Sequence, residues 1–250
     1  MKRILITRPR AQADCFAANL SSAGFDPIYF PVIEIHPMPN ASELDSALQH
    51  LSTYDWVVFT SVNGVEIFLA RAQALGIGPF PDQVRVAAIG PRTAKALGSW
   101  GINPAFIPDE YVAEAILPGL GDLAQRRVLL PRAEIARKAL PDAIRQAGGI
   151  ADEIAVYRTL PAPISSQGLK ALHQGVDVIT FTSPSTVHYF FMLLKHTGLD
   201  PLNLPGRPLV ACIGPITAAA ARAQGLKVDL LASSYTTAGL VELLQIQLNQ

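Results

Sequence analysis

The sequence predicts an α/β protein of two parallel-sheet lobes with an internal pseudo-repeat, and three observations carry that reading. Short apolar, β-branched runs alternate with helical stretches from end to end, the pattern of parallel βα units whose helices cover a buried sheet. The second half of the chain repeats the first at a spacing of 122 to 124 residues. A proline pair interrupts each repeat at the same place, Pro37 with Pro39 and Pro161 with Pro163. Length agrees, because 250 residues at roughly 150 per domain leave room for two. Half of the residues are apolar and 16% are charged, ample for a buried core and far from the composition of a disordered chain.

Taken in order, Arg3 to Thr7 reads as the first strand. The helix after it places Phe16, Ala17 and Leu20 on one face and stops at Gly24, a residue suited to the left-handed position that ends a helix. Pro27 to Ile33 is the second strand, and Leu44, Leu48 and Leu51 mark one face of the next helix. Strands follow at Trp56 to Thr60, at Val84 to Ile89 and near Ala105 to Ile107, five in the first half. The run 56–61 then returns as 178–183, Phe59 and Phe181 being 122 apart, and 86–93 returns as 210–217, Gly90 and Gly214 being 124 apart. Arg8 with Arg132, Gly24 with Gly148, and the two proline pairs also correspond at 124. Five matches in order argue against two unrelated βα domains that share a stock turn.

Proline favours an extended chain that cannot enter a helix, so the two pairs read as crossings near 34–40 and 157–163. If both are crossings, one lobe is residues 1–36 with 164–250 and the other is residues 38–160. Two contiguous halves meeting near Asp122 remain an open alternative.

Twenty Lys plus Arg balance twenty Asp plus Glu, so no global field draws in nucleic acid or an anionic membrane, and an anionic ligand must be held by local groups. No uncharged run approaches the ~18 residues that span a bilayer. Arg8 and Arg10 interrupt the first apolar stretch before it reaches signal-peptide length, and the expected location is the cytoplasm. Cys15 and Cys212 sit in apolar runs and read as small core residues.

Ligands of an open parallel sheet bind at the carboxyl ends of its strands, where the next helix presents unpaired N–H groups and the positive end of its dipole. The repeated motifs fall there. Thr60, Ser61 and Asn63 end one strand, Thr182 and Ser183 end its counterpart, and Gly90 with Thr93 and Gly214 with Thr217 follow the next pair of strands. Read singly, each hydroxyl is a helix cap before it is a ligand contact. Together the four helix starts make an anion-lined site. Tyr157 closes the strand 150–157, where its phenol either faces a ligand or is a half-buried aromatic. Arg8 and Arg132 end the first strand of each repeat and either reach a bound carboxylate or form surface ion pairs. Nucleotide-binding glycine loops, His-Glu-x-x-His and Gly-x-Ser-x-Gly are all absent, so neither a metal site nor a nucleophile-elbow hydrolase is supported. Asp45, Glu66, Glu114 and Asp142 read as solvated helix charges, with no carboxylate pair to act as acid and base.

Short tags punctuate the chain: Ile6-Thr7-Arg8-Pro9, Phe59-Thr60-Ser61 with Asn63-Gly64, Ile89-Gly90-Pro91 with Thr93, Leu130-Pro131-Arg132-Ala133-Glu134, Tyr157-Arg158-Thr159, Phe181-Thr182-Ser183-Pro184, Ile213-Gly214-Pro215 with Thr217, and Tyr235-Thr236 before Gly239-Leu240. In this order and spacing the chain resembles the uroporphyrinogen-III synthase family along nearly its whole length. The resemblance implies two flavodoxin-like lobes joined by a two-stranded linker made of the two crossings. It also implies a reaction, the closure of hydroxymethylbilane, an open tetrapyrrole with carboxylates on every ring, to uroporphyrinogen III with loss of water and inversion of ring D. The route runs through an azafulvene cation and a spiro carbon, with no cofactor and no metal. Tyr157 matches the family's candidate tyrosine for departure of the hydroxyl, and Thr93 and Thr217 match its cleft threonines. Arg92, whose repeat counterpart is Ile216, would act in one lobe only. The expected partner is that small-molecule substrate, and the expected state is a monomer. The alternative from another class is a non-catalytic two-lobed small-molecule binding or sensor protein.

Overall fold

Parallel strands buried on both faces need helices on both sides, and the chain supplies them in alternation. The computed structural model describes residues 1–110 and 113–248, without the side chains of residues 113 and 114. Glu114 therefore falls outside the described side chains. In chain order the elements are β1 (Arg3–Ile6), α1 (Asp14–Ser22), β2 (Asp26–Tyr29), β3 (Ile33–Pro37), α2 (Ser42–Gln49), β4 (Trp56–Phe59), α3 (Val62–Ala74), β5 (Arg85–Ala88), α4 (Pro91–Ser99) and α5 (Leu117–Leu120). They continue as β6 (Arg127–Ala133), α6 (Ala139–Gln146), β7 (Ile150–Pro161), α7 (Ser166–Gln174), β8 (Val178–Phe181), α8 (Pro184–Leu194), β9 (Leu209–Cys212), α9 (Pro215–Ala223), β10 (Leu230–Leu231) and α10 (Thr237–Leu248).

Two compact units result, Met1–Glu34 with Leu160–Gln250, and Ile35–Thr159. The first unit's sheet has the order β10-β9-β8-β1-β2, with every pairing parallel. The second has the order β3-β7-β6-β4-β5, and β6 pairs in parallel with β4 and β7, as β4 does with β5. Shifted by 122 to 124 residues, β6, β7, β4 and β5 fall on β1, β2, β8 and β9 and hold the same places in their sheet. The chain passes from one unit to the other twice, in β3 and in β7. Their pairing is bracketed by Met38 N–H to the Val156 carbonyl and Ala162 N–H to the Val32 carbonyl, both 3.1 Å. Residue numbers rise along one strand as they fall along the other, so this pair is antiparallel.

Three boundaries differ from the sequence reading, each for a local reason. The expected strand Pro27 to Ile33 is split into β2 and β3, because Pro31 has no N–H to continue a ladder. The strand expected near 105–107 shrinks to a bridge between Ala87 and Phe106, since Pro104 and Pro108 flank it. β7 runs on to Pro161, so Tyr157 lies inside a strand and does not close one. Cys15 is a fourth correction. It is exposed, because α1 turns Phe16, Ala17 and Leu20 inward and leaves position 15 on the opposite face. Cys212, in β9, is buried, and burial pushes its thiol up to about 11.

Alternate strand residues feed two cores on each sheet. In the first unit Leu5, Ile179 and Phe181 pack under Leu172, Phe190 and Ala218 of α7, α8 and α9, while Ile4, Ile6 and Val178 pack on Phe16, Leu20, Leu240 and Leu244 of α1 and α10. In the second, Val57, Phe59 and Val86 meet Leu48, Phe68 and Leu97 of α2, α3 and α4, and Trp56, Val58 and Leu130 meet Leu120, Leu140 and Ile144 of α5 and α6. Each such fully buried side chain contributes about 1.5–3 kcal/mol. Gly24 and Gly148 end α1 and α6 at φ of +85° and +81°, a conformation that favours glycine. Among the described residues no helix is long and apolar enough to cross a membrane.

At the amino ends of the strands each unit carries the same lock. Asp55 accepts the backbone N–H of Arg127 at 2.8 Å and the Arg126 guanidinium at 2.7 Å. Asp177 accepts the backbone N–H of Arg3 at 2.7 Å and the Lys2 ammonium at 3.0 Å. Burial pushes both carboxyls up, but the backbone bonds and the neighbouring cations outweigh it and hold both below the usual aspartate range. A carboxylate with a depressed folded-state pKa stabilises the fold above its unfolded pKa, and that stability is lost as pH falls through the folded value. At neutral pH, Asp55→Ala and Asp177→Ala should therefore each cost near the lower end of the ~1.5–3 kcal/mol typical of a hydrogen bond to a charged group. The difference from the parent should close as pH drops below about 4, the ordinary aspartate pKa. Urea unfolding at several pH values checks this, and parental stability of both variants at pH 7 would remove the locks from the account.

Candidate functional site

A parallel sheet opens widest at its carboxyl edge where adjacent strands send their connections to opposite faces. In the first unit this happens between β1, which leads to α1, and β8, which leads to α8. In the second it happens between β6 and β4, which lead to α6 and α3. Thr182 and Ser183 follow β8, and Arg8 lies just beyond β1; Thr60 and Ser61 follow β4, and Arg132 lies in the last turns of the β6 ladder. The next strands end level with these. Ile89 N–H bonds the Phe59 carbonyl and Ile213 N–H bonds the Phe181 carbonyl, both at 3.0 Å, so Gly90 and Gly214 bring the starts of α4 and α9 alongside α3 and α8.

The four helix starts are not equivalent. Ser61 Oγ accepts the Gly64 N–H at 3.0 Å and caps α3. Ser183 Oγ accepts the Thr186 N–H at 3.2 Å and completes a capping box on α8. Gly90 and Gly214 offer no side-chain cap, so the first-turn N–H groups of Arg92 and Thr93 in α4, and of Ile216 and Thr217 in α9, stay available to a ligand. Pro91 and Pro215 at the first helical position lose nothing by lacking an N–H. Thr93 and Thr217 are buried at the third position of these turns. Both glycines are extended, so φ does not require glycine there. At Gly214 the space is tight, because a Cβ would stand 3.2 Å from the ring of Tyr235. Gly64 is needed for the same kind of reason, since its Cβ would lie 3.1 Å from the Pro131 carbonyl and α3 would lose its close seat on β6.

That close seat brings the second unit's polar groups together. The Tyr157 hydroxyl donates to Ser61 Oγ at 3.2 Å. Ser61 Oγ thus accepts from both Gly64 and Tyr157, which leaves its own O–H directed elsewhere. Arg132 is buried, donates to Glu153 Oε2 at 3.1 Å and to the Arg137 carbonyl, and directly precedes Ala133, the ladder partner of Tyr157. Burial draws its guanidinium down further than Glu153 and Tyr157 restore it, yet an arginine remains charged at neutral pH. Its Nε–H is buried with no hydrogen-bond partner among the described residues. Arg8 is buried as well and donates to Gln12 Oε1 at 3.1 Å. Neither arginine is the surface ion pair that was one of the two sequence readings. Thr60, Asn63 and Thr182 are half-buried at the same strand ends. A hollow of about 760 Å³ lined by Leu51, Phe80 and Trp100 lies by the start of β5, at the amino edge of the sheet and away from these groups.

A family model described as Uroporphyrinogen-III synthase HemD matches residues 14–242. The chain belongs to the uroporphyrinogen-III synthase family. The uroporphyrinogen-III synthase of Synechococcus elongatus is 32% identical over 245 residues, covering 96% of this chain and 93% of its own. That of Chlorobaculum parvum is 29% identical over 238 residues, covering 92% and 93%. Two solved structures share the fold. A mutant uroporphyrinogen III synthase from Thermus thermophilus superposes with a TM-score of 0.67 at 23% identity over 97% of this chain and 96% of that one. The Helicobacter pylori uroporphyrinogen-III synthetase gives 0.62 at 18% identity over 97% and 98%. Uroporphyrinogen-III synthases are cyclising lyases of tetrapyrrole and haem biosynthesis that act on a small tetrapyrrole.

One feature of the site was missed from the sequence. Glu153 went unnoticed because nothing in its spacing from Arg132 marks a partner on the next strand. The capping by Ser61 and Ser183 was one of two readings, and both caps are present. Asp45, read as solvated, instead forms a two-point pair with Arg71 at 2.6 Å. Ser61→Ala removes a helix cap and should cost about 0.5–2 kcal/mol. Tyr157→Phe keeps the ring's packing and loses one partly buried hydrogen bond, about 0.5–1.5 kcal/mol. In the double variant the losses should fall short of additive, since both remove the same bond. Denaturant unfolding of the three proteins checks this, and full additivity would mean that the Tyr157–Ser61 bond contributes nothing.

Proposed function

We propose that the chain converts hydroxymethylbilane to uroporphyrinogen III, with the Ser61–Tyr157–Arg132 group at the β4/β6 opening as its reacting centre. The observation that carries this is the Tyr157 phenol, held by the cap of α3 beside a buried arginine. The pyrrole nitrogen drives out the terminal hydroxyl, so the protein needs a modest proton donor and a pocket that favours the spiro geometry over direct closure. Tyr157 donates the proton to the departing hydroxyl. Ser61 then turns its O–H toward the phenolate, and the Arg132 charge supports that anion. Substrate carboxylates dock on the uncapped starts of α4 and α9, aided by Thr93 and Thr217, and on Arg132 and Arg8. Thr60, Asn63, Thr182, Ser183, Gly90 and Gly214 shape these strand ends. Backbone N–H groups carry no formal charge, which fits a neutral protein with a polyanionic ligand.

We also propose that the enzyme works without cofactor or metal, as a monomer, in the cytoplasm. Each sheet is covered on both faces by helices of its own unit, so neither needs a second copy. Both thiols are free, the state a reducing compartment keeps.

Unaided closure of hydroxymethylbilane gives the symmetric type I isomer, so the protein should shift the product to type III with or without a chelator. Separating the oxidised isomers tests it. Substrate binding with an unchanged isomer ratio would mark a non-catalytic binding protein, and loss of activity with a chelator would overturn the metal-free reading. General-acid assistance is typically worth ~10²- to 10⁴-fold, and a leaving group already driven by nitrogen needs less, so Tyr157→Phe should slow turnover near the low end of that range. Thr93→Ala and Thr217→Ala should each weaken substrate affinity by about 0.5–1.5 kcal/mol, because the neighbouring N–H groups stay in place. Parental turnover in Tyr157→Phe would take the phenol out of the mechanism, and complete loss of binding in either threonine variant would rule out backbone recognition.

A further inference from the structure

We propose that Glu153 is a positioning residue that fixes the guanidinium of Arg132 at the carboxyl end of β6 for binding a substrate carboxylate. The proposal rests on the reading that Arg132 touches substrate. Its ground is geometric. In the β6/β7 ladder Leu130 faces Glu153 and Arg132 faces Ala155, so Glu153 is the diagonal neighbour of Arg132 on one face of the sheet. The register slips between Arg132 and Ala133, where the next pair is Ala133 with Tyr157. Such a bulge re-aims the side chain beside it, so the ladder alone does not fix where the guanidinium goes.

Glu153 supplies what the ladder lacks. Its side chain is 16% exposed and that of Arg132 10%, so this ion pair is shielded from water. Lys138 joins Arg132 on Oε2 and Arg145 takes Oε1, both at 3.0 Å, from side chains 67% and 47% exposed. Burial pushes the Glu153 carboxyl up, but bonds from Lys138 and Arg145 and the field of Arg132 outweigh it and keep the group ionised. Three cations thus converge on one carboxylate, but only Arg132 depends on it for its place. Lys138 and Arg145 keep their water when the carboxylate is lost, whereas a buried guanidinium without its counter-charge moves toward solvent. Among the described residues two of the five guanidinium N–H groups are used, one on Glu153 and one on the Arg137 carbonyl, and the buried Nε–H has no partner. A carboxylate arriving there would meet donors already aimed.

The full-length protein tests this with KM and kcat for hydroxymethylbilane. Arg132→Gln should raise KM about tenfold or more, the loss of a charge-assisted hydrogen bond. Glu153→Gln should raise it comparably, should change kcat no more than Arg132→Gln does, and should add nothing in the Arg132→Gln background. Lys138→Met and Arg145→Met, which remove the other partners of the same carboxylate, should leave KM within about twofold. If Glu153→Gln fails to fold, Glu153→Asp keeps the charge and shortens the reach, and it should still raise KM. An unchanged KM in Glu153→Gln, or in Glu153→Asp where that is the variant measured, alongside a raised KM in Arg132→Gln, overturns the positioning role and leaves Arg132 as a ligand. An unchanged KM in Arg132→Gln overturns the reading of Arg132 itself. An effect of Lys138→Met as large as that of Glu153→Gln would assign the whole ion network to stability.

Discussion

Parallel strands cannot be joined by a tight turn, so within each unit one strand reaches the next through a helix that must return along one face of the sheet or the other. Where two adjacent strands choose opposite faces, their carboxyl ends stay uncovered. Each unit has such a place at the middle of its sheet, between β1 and β8 and between β6 and β4. The strands there are the most buried, β4 and β8 at all four positions, because helices lie on both of their faces. Their amino ends are tied by Asp55 and Asp177, whereas their carboxyl ends stay open. Rigidity at one end and open donors at the other follow from the same topology.

A helix start at such an opening either satisfies its own N–H groups or leaves them for a ligand, and the chain does both. Serine at the start of α3 and α8 turns its oxygen back on the helix, which stabilises the element and withdraws one donor. Glycine and proline at the start of α4 and α9 cannot do so, and the donors stay outward. The choice of residue therefore separates helix starts that satisfy their own donors from those that leave them open. Arg132 completes the arrangement by a different means, a full charge kept dry by Glu153. The protein needs no excess of positive charge, because the groups that would meet carboxylates are dipoles and compensated cations.

The fold was legible because it rests on periodic burial and on a repeat, both of which are written into neighbouring residues. The alternation of apolar runs, the Gly-Pro turns and the serine caps need no knowledge of the third dimension. What was not legible depends on lateral contacts. Glu153 meets Arg132 across a ladder whose register slips by a bulge, and no spacing in the sequence encodes that. Asp55 and Asp177 were within reach, since each stands just before the repeated runs 56–61 and 178–183, but an aspartate there reads as a loop residue until the backbone N–H it accepts is known. Cys15 was misplaced because an apolar neighbourhood in sequence is not one face of a helix. Tyr157 was named correctly and located wrongly, as the strand continues to Pro161.

The correspondence between units also shows where they part. At a spacing of 124 residues Arg132 answers to Arg8, but Glu153 answers to Tyr29 and Tyr157 to Ile33. Tyr29 carries the Arg10 guanidinium over its ring at 4.0 Å and donates to Asp14, and Ile33 is packed in the core, so neither reproduces the phenol and carboxylate of the other unit. Both units retain a buried arginine and an uncapped helix start. One unit has in addition the Tyr157 phenol, the proton donor of the proposed assignment. On the proposed assignment, a substrate with carboxylates on every ring offers several groups for attachment, whereas its single leaving hydroxyl needs only one donor. A scaffold repeated for binding and changed on one side for chemistry meets that asymmetry, because binding contributions add across sites whereas a second proton donor would have no bond to break.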